Sequence, residues 1–127
     1  MVKEIIIIII VVTLVICLDV ITNNYTKSTV EELSGELSSL KEEVLEENEI
    51  TSKSKMQKIK DSWKEKYNVL AYYIEHDELE KVETELTKLA ADIDVGEYKH
   101  CINELYTIIF ILNHIKQKEE FNIKSIF

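Results

Sequence analysis

At 127 residues the chain has room for one compact domain, and with 46% hydrophobic and 31% charged residues it is too apolar to remain disordered. A formal net charge of −9 excludes the basic footprint by which proteins hold nucleic acid or an anionic lipid surface. Proline is absent and glycine occurs only at Gly35 and Gly96, so tight hairpins are scarce and an all-α chain is expected.

The first element runs from Ile5 to Ile21 as IIIIIIVVTLVICLDVI, interrupted only by Thr13 and Asp19. Such a run of about 17 residues lies at the short limit for crossing a bilayer core. In water its β-branched residues would favour a strand; in lipid the backbone must satisfy its own hydrogen bonds, which selects a helix. No small-x-small cleavage motif follows the run. In Leu14-Val15-Ile16-Cys17 the position a lipoprotein signal peptidase reads as small is Ile16, so cleavage and lipidation are not expected. Residues 1–23 are therefore assigned as an uncleaved single-pass anchor that meets membrane lipid through residues 5–21, and residues 24–127 as an acidic helical domain. Lys3 favours an inside N-terminus, which puts the domain on the extracytoplasmic side of a cell membrane.

The anchor flows into an amphipathic helix without a linker: Val30, Leu33, Leu37, Leu40 and Val44 recur at three and four residues, with glutamates between them. Those glutamates, Glu31 to Glu47, lie along a helix rather than in a ligand loop and are expected to form a solvated face. A polar turn is expected over Asn48–Ser54, with Thr51 or Ser52 capping a second helix whose face is Met56, Ile59, Trp63, Tyr67, Leu70 and Ile74. A restart follows at His76-Asp77-Glu78-Leu79-Glu80, where Asp77 can cap and Glu80 can reach back. Leu79, Val82, Leu86, Leu89 and Ile93 form the third face. Asp94 and Glu97 repeat the capping pattern before Tyr98, Ile102, Leu105, Ile109 and Leu112.

Four helices with short connections predict an antiparallel bundle. An echo of Met56, Ile59 and Trp63 in Ile102, Leu105 and Ile109 would suggest stacked hairpins instead, but it breaks at Tyr67 against Asn113. An up-down-up-down path returns the tail, with Phe121, Ile123, Ile126 and Phe127, toward the membrane. There these residues either close the base of the bundle or enter the lipid interface.

The isoleucine-rich anchor, a Trp63 helix ending in YIEHDEL, the joint LTKLAADIDVGEY and the terminus HIKQKEEFNIKSIF together resemble the family known as domain of unknown function 4363, over nearly the full chain. The resemblance implies a small membrane-anchored helical protein of spore-forming Gram-positive bacteria. It brings no assigned activity and no catalytic residues.

His76, Asp77 and Glu80 gather an imidazole and two carboxylates at one helix start, the donor set of a His-carboxylate metal site. The same residues at a helix end also serve capping and dipole roles, and their spacing matches no defined metal motif. His114 with Glu119 or Glu120 forms a second such group. His100 and Cys101 are adjacent on a helix and point about 100° apart, which argues against a Cys-His nucleophile. Cys17 and Cys101 fall in separate regions and are not expected to pair. Trp63, Tyr67, Tyr72 and Tyr73 could line a pocket, although the helical spacing of the first two reads as core.

No constellation of converging groups suggests catalysis, and neither an enzyme nor a cofactor is expected. Ile108 to Leu112 is apolar at five consecutive positions, which leaves Phe110 and Ile111 off the stripe as a surface for a protein partner or a second copy. The expected function is a membrane-tethered interaction or structural module. The alternative is a domain sensing a small ligand or divalent metal through His76 and nearby carboxylates.

Overall fold

The computed structural model describes residues 1–126, with the side chains of residues 1–125. These residues fold into α1 (Val2–Leu45), α2 (Glu49–Leu70), α3 (His76–Val95) and α4 (Tyr98–Ile126), with no strand among them. The chain is all-α, as its composition predicts. Helix α1 packs against α2 and α4, α4 also packs against α3, and a thinner α2–α3 seam completes an up-down-up-down bundle. The apolar stretch and the first bundle helix are one unbroken helix, so no hinge separates them at Asn23-Asn24.

Burial follows the predicted faces on three helices. Leu33, Leu37 and Leu40 from α1, Ile59 and Trp63 from α2, and Leu79, Val82 and Leu89 from α3 are all withdrawn from water. On α4 the register differs from expectation. The buried line is Cys101, Leu105, Ile108, Leu112 and Ile115, whereas Tyr98, Ile102 and Ile109 are only half-buried on its flank. Helix α4 lies between α1 and α3 and needs a broad apolar face. The five-residue run Ile108–Leu112 fits two neighbouring stripes, and packing on both sides selects the one that continues to Ile115.

The turns at the end away from the apolar stretch are tighter than predicted. Helix α1 ends with Asn48 N–H donating to Glu43 O at 3.0 Å and Glu47 N–H to Val44 O at 3.0 Å, the paired bonds of a Schellman closure, with Glu47 at φ 54°. Asn48, rather than Thr51 or Ser52, then caps α2, its side chain accepting from Thr51 N–H at 3.2 Å. Helix α3 closes the same way on Gly96, at φ 75°, through Glu97 N–H to Asp92 O at 2.9 Å. At its other end Glu75, not Asp77, holds the N-cap position, and no side chain caps it. Asp77 sits two positions past that cap, in the first turn, where a carboxylate favours the positive end of the helix dipole. Helix α4 carries the expected tail as continuous helix to Ile126; the Ile126 side chain and Phe127 lie outside the described residues.

Candidate functional site

Two regions combine exposed apolar groups with defined geometry. The first is the base of the bundle, where α1 leaves the apolar stretch. Tyr73, on the turn between α2 and α3, donates its hydroxyl to Thr22 O at 3.1 Å and shares a 2.7 Å hydrogen bond with Thr26 Oγ1. Thr26 is buried, so the bond satisfies a hydroxyl that would otherwise be stranded. Asp19, Thr22, Tyr73, Glu119, Asn122 and Ile123 line a cleft of about 190 Å³ between α1 and the end of α4. Burial, reinforced by the Glu78 and Asp19 carboxylates, pushes the Glu119 carboxyl above its ordinary pKa. Around this cleft Tyr72 is 90% exposed and Phe121 is 68% exposed.

The second region is the outer face of α4. Phe110 projects into solvent at 72% exposure, while Ile111 is half-buried and packs against the core. The two therefore differ, although the sequence grouped them. They border a groove of about 290 Å³ with Glu78, Lys81, His114 and Ile115. Lys118 draws the α3 start onto α4, with its ammonium 3.2 Å from Glu78 and 3.4 Å from Glu75.

His76 lies at the start of α3, exposed, with Nε2 3.8 Å from Glu80 Oε2 and Nδ1 3.5 Å from the Tyr67 hydroxyl. Asp77 makes no contact with this pair that would complete a ligand set. Among the described residues no group of three His, Cys, Asp or Glu side chains is placed to hold a metal ion. His114 borders the Phe110 groove, apart from the His76 pair. The aromatic residues do not converge on one pocket either. Trp63 is buried and meets Tyr67 edge to face at 6.0 Å, Tyr73 belongs to the base cleft, and Tyr72 faces outward.

Cys101 is fully buried while His100 is exposed, so the two do not meet. Burial first, then neighbouring carboxylates, push the Cys101 thiol up to about 12, far from the thiolate a nucleophile needs.

Other electrostatic features were not legible in the sequence. Glu104 on α4 faces the Asp92 carboxyl on α3, and its Oε2 is buried without a hydrogen-bond partner. Burial first, and then the neighbouring Asp92 carboxyl, raise Glu104 to about 8. The glutamate face of α1 is likewise partly engaged: Glu32 meets Lys66 at 3.2 Å and Glu43 meets Lys55 at 3.2 Å, both across to α2. Only the residue types were visible in advance; the pairing depends on how the helices rotate against one another.

The family profile described as Domain of unknown function (DUF4363) matches residues 20–126, the bundle together with the last two residues of the apolar stretch. No curated protein and no solved structure matches the chain.

Proposed function

The chain belongs to the domain of unknown function 4363 family, and on that premise we propose that it is a membrane-anchored helical module that acts by binding a protein partner beside the membrane. One observation carries the anchor: α1 contains a window long and apolar enough to cross a membrane, and none of that window is buried against the rest of the chain. A core helix of a soluble protein would be mostly covered. An uncovered apolar surface of this size calls for another apolar phase. Alkaline extraction of membranes should leave the full chain in the pellet, and protease added to intact cells should remove the bundle if it lies outside. Release by alkali would overturn the anchor, and protection from protease would reverse the orientation.

A binding role is favoured over catalysis because the bundle offers exposed apolar side chains and, among the described residues, no converging nucleophile, acid and base. Phe110 is the strongest contact candidate. A photoreactive residue at position 110 should yield one discrete adduct in native membranes, absent when it is moved to exposed Lys58 on α2. Phe110→Ser should abolish that association and change stability by no more than about 0.5 kcal/mol, the usual range for a surface site. Ile111→Ser should instead cost about 1–3 kcal/mol, because it removes a side chain packed on the core. Equal loss of folding in both variants would reassign Phe110 to the core. A sensing domain is the weaker reading, since among the described residues no three His, Cys, Asp or Glu side chains, His76 and Glu80 included, are placed to hold a metal ion.

A further inference from the structure

We propose that the base of the bundle is itself a lipid-contacting surface, with Tyr72 and Phe121 seated in the headgroup layer beside the anchor. The inference rests on the anchor reading and adds a second membrane contact to it. Its first support is depth. Charged Lys3 and Glu4 bound the apolar stretch on one side, and Ile5 to Ile21 spans about 26 Å at 1.5 Å per residue. A hydrocarbon core is about 30 Å thick, so the far boundary falls within the turn that follows Ile21. That turn is where the bundle begins.

The second support is the set of contacts that fix other elements at this same level. The Tyr73 bonds to Thr22 and Thr26 tie the α2–α3 turn to the first turns after Ile21. The cleft shared by Asp19, Thr22, Glu119 and Ile123 brings the end of α4 alongside the last turn of the apolar stretch. Ile16 is half-buried, unlike the apolar residues on either side of it. Tyr72 and Phe121 adjoin Tyr73 and Asn122 of this cleft in the chain, and both rings are exposed. Neither ring closes the core, which was the other role open to the tail.

The third support is residue type. An amphipathic tyrosine ring suits the polar layer between headgroup and chain, and a phenylalanine ring lowers its exposed apolar area by entering the same layer. The charges nearby are mixed, with Glu75, Glu119 and Glu120 against Lys118 and Lys124, and the chain as a whole is acidic. The contact is therefore with zwitterionic lipid through aromatic rings, and it should withstand high salt.

The full chain can be reconstituted in phosphatidylcholine vesicles whose acyl chains carry bromine close to the carbonyl, a short-range quencher of indole emission. Wild type supplies the reference, because its sole tryptophan, Trp63, lies within the bundle above the base. Tyr72→Trp and Phe121→Trp should each add blue-shifted emission, most of it lost on bromination and unaffected by salt. Added emission at the wavelength of a water-exposed indole, unquenched while alkali leaves the protein in the vesicles, would overturn this inference and leave the anchor intact. Release of the protein by alkali would overturn both.

Discussion

Gly35 and Gly96 occupy helical surroundings for opposite reasons. Gly96 ends α3 at φ 75°, a conformation that costs an L side chain about 1–2 kcal/mol, and it completes the closure before α4. Gly35 lies inside α1, and a Cβ added there would meet nothing within 4 Å. Gly35→Ala should therefore raise stability by about 1 kcal/mol, the difference in helix propensity. Gly96→Ala should lower it by a comparable amount. Thermal melts of the two variants in one detergent would show shifts of opposite sign; a loss in Gly35→Ala would mean that its open side is occupied by something else. Glu47 adopts the same left-handed conformation as Gly96 without being glycine, and this is why composition alone misplaced the first turn.

Among the elements, the seam between α3 and α4 is the one whose strength should depend on pH. Folded Glu104 keeps its proton to about pH 8, against 4.5 for the free side chain. Across that window the folded state binds more protons than the unfolded state, so stability falls as pH rises. Glu36 and Glu119, also raised by burial, act in the same direction. Asp92 and Glu85 add to the repulsion when Glu104 ionises, and Lys88, bound to Glu85 at 3.3 Å, offsets part of it. The melting temperature should be highest near pH 5 and decline toward pH 9, with much of the decline removed in Glu104→Gln. A flat profile in wild type would show that burial and Asp92 do not hold the Glu104 proton. Sequence spacing made the faces of α1 and α3 readable because each carries one narrow apolar stripe. Helix α4 has apolar residues enough for two stripes, so only its neighbours could decide which turns inward.

At the scale of the whole molecule, the helical class, the number of helices and the uncovered apolar stretch were legible in the sequence, since each is written in composition or periodicity. The contacts that organise the base were not. Tyr73, Thr22 and Glu119 are far apart in the chain, and only closure of the bundle brings them together. Phe110 and Ile111 differ in exposure for a related reason: adjacent positions on α4 point toward different surroundings, one to solvent and one toward its neighbours.

The unbroken course of α1 has a mechanical consequence. From Thr22 to Leu45 it extends about 36 Å, and no hinge separates this arm from the stretch below it. On the transmembrane reading the helix is a lever pivoting in the bilayer. A change of about 20° in tilt, the scale typical of membrane-spanning helices, would carry the Glu46–Asn48 turn sideways by about 12 Å. Lipid thickness, or any protein that leans on the span, would thereby set where the far end of the bundle reaches.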